Sequence, residues 1–140
     1  MFLDGEGFAN LSVDNSNVAL LHELKRQGYW VHLLTARPSE ELQCLYDTYF
    51  WIVNQSIPCD AISFSPEKFR WCVKSKYYDK GAIKFAIDDA PKHAEDYAKH
   101  GLKCLVPLKS YNKGLRHENI YHFSNTNQAI ESLRQIKAIR

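Results

Sequence analysis

Four short stretches carry the side chains that could do chemistry: Asp4-Gly5-Glu6-Gly7, Thr35-Ala36-Arg37, Lys68 and Asp88-Asp89. Asp4, Glu6, Asp88 and Asp89 offer hard carboxylate oxygens, which suit Mg²⁺. The Thr35 hydroxyl, the neighbouring backbone N–H groups of Ala36 and Arg37, and the cations Arg37 and Lys68 suit the non-bridging oxygens of a phosphate. Gathered in one place, these groups would hold a metal ion and a phosphoryl group together. Each has a plainer reading. Thr35 could be an ordinary β-branched strand residue, Asp88-Asp89 a helix cap pair, and Arg37 a surface charge. Lys74, Lys76, Lys80 and Lys84 compete with Lys68, which is preferred because it stands at a helix start twenty residues before Asp88.

What would gather them is an alternation of two periodicities along the chain. Residues 17–27 place Val18, Leu21 and Leu24 on one helical face, and Gly28 ends that helix. Residues 29–35 (YWVHLLT) form a dense β-branched and aromatic run, the pattern of a buried strand. Pro38-Ser39-Glu40-Glu41 opens a second helix, carrying Leu42, Leu45, Tyr49 and Ile52. Residues 61–64 read as a short strand. Ser65-Pro66-Glu67-Lys68 then starts a third helix, which is expected to run to about Tyr78. A strand over 82–88, a helix over 90–100 closed by Gly101, and a strand over 103–106 follow. After a loop through Asn112 and Gly114, residues 120–123 read as extended and 126–139 as an amphipathic helix. Alternation of this kind predicts an α/β fold, a mostly parallel sheet with helices on both faces. In such sheets ligands bind beyond the carboxyl ends of the strands, where all four stretches fall.

The bulk properties agree with one domain spanning residues 1–140. Apolar residues make up 45% and charged residues 24%, ordinary for a globular protein, and 140 residues leave no room for two cores. A net charge of +2 is too near balance for an obligate polyanion binder. The balance hides an asymmetry: residues 1–100 hold eleven basic and fourteen acidic side chains, residues 101–140 seven and two. That basic end reads as a solvated helix or as a weak contact surface for phosphate or nucleic acid. Cys44, Cys59, Cys72 and Cys104 lack the close spacing of a zinc knuckle and read as reduced, packed thiols. No apolar run approaches the roughly 20 residues of a membrane span, and the first residues lack the basic and apolar regions of a signal peptide. The expectation is a cytoplasmic protein without membrane partners.

In these motifs the sequence resembles the haloacid dehalogenase superfamily of phosphotransferases. That family's first motif is hhhDxDG[TV], its second a Thr or Ser ending the next strand, its third a Lys, and its fourth an acidic pair after an apolar strand. Here VHLLTARP supplies the second motif with Thr35, and KFAIDDAPKHAEDYAKHG supplies the fourth with Asp88 and Asp89. The resemblance extends from Phe2 to about Lys109 and implies a three-layer α/β/α Rossmann-like sandwich around a mostly parallel five- to six-stranded sheet. The first motif departs from the pattern, and two registers fit it. One places the nucleophile at Asp4 and the acid/base at Glu6, with Gly7 on the family glycine and Phe8 replacing Thr or Val. The other aligns Leu3-Asp4-Gly5 with the family's x-D-G and leaves Phe2 at the nucleophile position. The first leaves three apolar residues to begin the strand, the second only one.

The resemblance implies a Mg²⁺-dependent phosphatase. Asp4 would attack phosphorus in line to give an aspartyl-phosphate. Glu6 would protonate the leaving oxygen and then activate water, and Thr35 and Lys68 would hold the remaining oxygens. Asp4, Asp88, Asp89 and the residue 6 carbonyl would hold the metal. A Glu in place of Asp adds a methylene, and displacement by about an ångström can cost about 100-fold in rate. A competing expectation is therefore a catalytically degraded domain retained for binding. About thirty residues separate the first motif from the second and the second from the third, all assigned to helices and strands, so no cap insertion fits. An open site suits a nucleic-acid end, or a phosphorylated small molecule covered by a second subunit of a homo-oligomer. The fourth motif and its tail are similar to the phosphatase half of phage-type polynucleotide kinases and to small nucleotidase-like members. Ser110-Tyr111-Asn112 resembles a Tyr-Asn pair of the latter.

Overall fold

The structure is a computed structural model that describes residues 15–35, 42–54, 56–74 and 83–137. Within them the elements run α1 (Asn15–Arg26), β1 (His32–Thr35), α2 (Leu42–Asn54), β2 (Ala61–Phe64) and α3 (Lys68–Lys74). They continue with β3 (Ala86–Ile87), α4 (Pro91–Lys99), β4 (Cys104–Pro107), β5 (Ile120–Phe123) and α5 (Thr126–Gln135). The chain is mixed α/β with parallel strands. β1 pairs with β2, from His32 opposite Ala61 to Thr35 opposite Phe64. β3, β4 and β5 form a second sheet in that order, with Ala86 opposite Cys104 and Cys104 opposite Ile120. Among the described residues, then, the strands fall into sheets of two and three.

Local chemistry explains the helix ends. Gly28 and Gly101 follow α1 and α4 at φ values of 92° and 89°, the left-handed conformation that closes a helix at little cost for glycine. Ser65 Oγ accepts from the Glu67 N–H at 3.2 Å ahead of α3. Asn125 caps α5 by accepting from the Gln128 N–H at 2.9 Å, while Gln128 Oε1 accepts from the Ser124 N–H, a reciprocal cap. Several expected boundaries move. β1 is His32–Thr35 rather than 29–35, and α1 begins at Asn15 rather than at residue 17. α3 is described to Lys74, and the rest of its expected run to about Tyr78 lies outside the described residues. β3 is confined to Ala86–Ile87 rather than 82–88, because the bonds to its neighbour come from the Ala86 and Asp88 N–H groups. α5 ends at Gln135, where Lys137 enters the left-handed region at φ 61°.

Successive strand residues point to opposite faces, and each face meets its own apolar cluster. Leu33, Ile87, Leu105 and Phe123 pack with Leu20, Leu21 and Leu24 of α1 and Ala129 and Leu133 of α5. Leu34, Ala86, Cys104 and Val106 pack with Phe69 and Cys72 of α3 and Ala94 and Tyr97 of α4. Both clusters draw on β1 and on β3–β5, so the two sheets share their cores. Cys72 and Cys104 are buried free thiols and Cys59 a half-buried one, while the side chain of Cys44, the fourth expected thiol, lies outside the described residues. Burial raises the Cys72 and Cys104 thiols above their ordinary range, which keeps them protonated and inert. No helix among the described residues is long and apolar enough to cross a membrane.

Candidate functional site

Lys68 opens α3 just beyond β2, and Asp88 follows the last residue of β3. Twenty residues apart in the chain, they meet: Lys68 Nζ donates to Asp88 Oδ2 at 2.9 Å. The side chains are 1% and 0% exposed. An ion pair so buried persists only when each charge is matched and further hydrogen bonds complete it. Asp88 obtains a second bond from the Ala90 N–H, 3.0 Å from Oδ1, and its own N–H donates to the Leu105 carbonyl across the β3–β4 ladder. Because β1 and β2 are parallel, Thr35 ends β1 opposite the end of β2. The Lys68–Asp88 bond thus brings the carboxyl ends of both sheets to one rim.

Asp89 is held by a different element. Its Oδ2 accepts a hydrogen bond from the Tyr111 hydroxyl, and its backbone carbonyl accepts from Asn112 Nδ2 at 2.9 Å. Asn112 is 1% exposed and uses its whole amide. Nδ2 also donates to the Pro107 carbonyl, and Oδ1 accepts from the Lys109 N–H, both at 2.9 Å. The β4–β5 loop is thereby clasped onto the end of β3. The remaining carboxylate oxygen, Asp89 Oδ1, is buried with no hydrogen-bond partner among the described residues. A buried anionic oxygen left this way is costly unless something cationic meets it.

His93, in the first turn of α4, is half-buried beside this cluster. Its imidazole is held below its ordinary value of 6.5 by burial first, then by the Lys68 cation, with Asp88 opposing. His32, in β1, has a similarly lowered value because it too is buried; its Nε2 lies 2.8 Å from Ser63 Oγ.

The structure therefore brings Lys68 to Asp88, holds the next residue, Asp89, on the β4–β5 loop, and places the backbone of Thr35 at the end of β1. Asp4, Glu6, Ala36 and Arg37 lie outside the described residues. Of the competing lysines, Lys74 and Lys84 are exposed, while Lys76 and Lys80 lie outside the described residues. Among the described residues no group of three or more His, Cys, Asp or Glu side chains gathers as a metal cage. Tyr111 and Asn112 stood out in the sequence only as a resemblance. No spacing rule joins a loop residue to a carboxylate more than twenty positions earlier. Family models, curated proteins and solved structures give no significant match to this chain.

Two outcomes test this description. Lys68→Met or Asp88→Asn alone should destabilise the fold by about 3–5 kcal/mol, since each strands or mispairs a buried group. Lys68→Met with Asp88→Asn should cost clearly less than the sum, read from urea midpoints. The second concerns pH. A lowered imidazole value means that between it and 6.5 the unfolded chain binds more protons than the folded one. Stability is then fully present above about pH 6.5 and falls as pH drops through the folded-state values. His93→Asn should flatten that fall, measured as the urea midpoint against pH.

Proposed function

We propose that this chain is a Mg²⁺-dependent phosphomonoester hydrolase of haloacid dehalogenase type, acting on nucleotides or polynucleotide ends through an aspartyl-phosphate. The observation that carries the reading is the buried Lys68–Asp88 contact at 2.9 Å. It unites at one rim two residues that the resemblance assigns to one site and that the chain separates by twenty positions. The finer fold belongs to the same reading. The shared apolar clusters support a three-layer sandwich in which the two sheets are halves of one.

One observation supports a cation at this rim: Asp89 Oδ1 is a buried carboxylate oxygen without a hydrogen-bond partner among the described residues, and such a hard donor suits Mg²⁺. Asp88 is already engaged by Lys68 and the Ala90 N–H, so its part in this reading is to fix the rim. Asp89, with Asp4, would hold the ion. Bound there, Mg²⁺ would supply charge neutralisation for an anionic nucleophile approaching an anionic phosphate. The rest falls to the chain. Asp4 attacks phosphorus, the bond to the ester oxygen breaks, and Glu6 delivers the proton that oxygen needs. Thr35, the Ala36 and Arg37 N–H groups and Lys68 restrain the phosphoryl oxygens.

Hydrolysis of p-nitrophenyl phosphate tests the proposal. Wild-type turnover should require Mg²⁺ and vanish with a chelator, and Asp4→Asn should lose about a thousand-fold or more. Equal, metal-independent turnover in both proteins would favour the catalytically degraded domain.

A further inference from the structure

The loop that clasps Asp89 also builds a cleft. Between β4 and β5 the chain runs from the strand-end rim back to the start of β5, and beneath it lies a space of about 660 Å³. Its walls include Leu108, Ile120 and the basic side chains Lys113, Arg116, His117 and His122. The one carboxylate on residues 108–119, Glu118, does not line it. Arg116 is fixed in place: Nη1 donates to the Lys113 and Leu115 carbonyls, both at 2.7 Å. That anchors one corner of the guanidinium and leaves its other N–H edge to face an anion. His122 Nε2 donates to the Asn112 carbonyl at 3.0 Å, which joins the cleft wall to the residue clasping Asp89. Tyr111 lies in the chain between cleft residues, with its hydroxyl on Asp89 and its side 58% exposed. A basic groove with an exposed aromatic ring beside it is the combination that holds single strands, the cations on the backbone and the ring on a base.

We propose that the β4–β5 cleft binds the backbone of a single-stranded nucleic acid, Lys113 and Arg116 contacting its phosphates and Tyr111 stacking on a base. That the strand's terminal phosphate then lies at the rim rests on the phosphatase reading; binding of the strand does not. Residues 108–119 hold three of the seven basic side chains of residues 101–140, as many as residues 126–140 do, and two of the loop's three, Lys113 and Arg116, line the cleft.

Fluorescence anisotropy of labelled oligothymidylate and oligouridylate of about 12 nucleotides, both lacking a terminal phosphate, tests it. Lys113→Glu with Arg116→Glu should weaken binding about ten-fold or more at about 0.1 M salt and lower the salt slope by about 2. Lys113→Glu alone, at an exposed residue, should give part of that loss without disturbing the loop. The pair Arg134→Glu with Lys137→Glu, in and just beyond α5, should leave binding unchanged. Tyr111→Phe should bind as wild type and Tyr111→Ala about ten-fold more weakly. No loss with the loop variants, an equal loss with the α5 pair, or equal binding by Tyr111→Phe and Tyr111→Ala overturns the proposal. Turnover of p-nitrophenyl phosphate should be unaffected by Lys113→Glu. Strand binding without turnover would defeat the phosphatase reading alone; turnover without strand binding would defeat this inference alone.

Discussion

One buried ion pair sets the geometry of everything near the rim. Removing a carboxylate and an ammonium from water costs several kcal/mol each, so Lys68 and Asp88 can stay buried only while they face each other. Their contact therefore acts as a distance constraint between two parts of the fold: the start of α3, set by β2, and the end of β3, set by β4. Ala90 and Leu105 supply the hydrogen bonds that keep Asp88 in register. Replacing the pair by apolar side chains would preserve packing and lose this constraint. Its retention in the core is understandable if the rim has a job that needs charges held at fixed places.

Around that pair the helices and loops divide the work. α1 and α5 cover one set of strand residues, α3 and α4 the alternate set, so the strand ends are backed on both sides by close-packed side chains. The β4–β5 loop rests on the second cluster through Leu115. Asn112, a single buried residue, adds three hydrogen bonds through its side-chain amide and two more accepted by its carbonyl, from His122 Nε2 and the Leu115 N–H. Through those contacts the position of Asp89, the exposure of Tyr111 and the wall of the basic cleft are coupled.

Much of this was legible in the sequence, and the reason differs by element. α1, α4 and the start of α5 were readable because glycines at positive φ and an Asn cap mark their ends. β2 was readable as a short apolar run between turn residues. β3 was overestimated because residues 83–85 carry the same apolar pattern while only Ala86 and Ile87 pair as a strand. Phe85 is buried against Tyr29 instead, with ring centroids 5.5 Å apart. The choice of Lys68 among five lysines came from its place at a helix start twenty residues before Asp88; its burial against Asp88 is a tertiary contact that no local pattern encodes. The clasp by Asn112 was not legible, since hydrogen bonds from an irregular loop follow no period. The different fates of Asp88 and Asp89 were hidden for the same reason, as they depend on which backbone N–H and which tyrosine come near.

The proposed phosphatase needs Asp4 at this rim, and a crystal grown with Mn²⁺ in place of Mg²⁺ locates the ion and its ligands by anomalous scattering. One peak is expected about 2.0–2.3 Å from carboxylate oxygens of both Asp4 and Asp89, with Lys68 still on Asp88. Asp4 directed away from the strand ends, or an ion at the rim bound without it, would rule the proposal out.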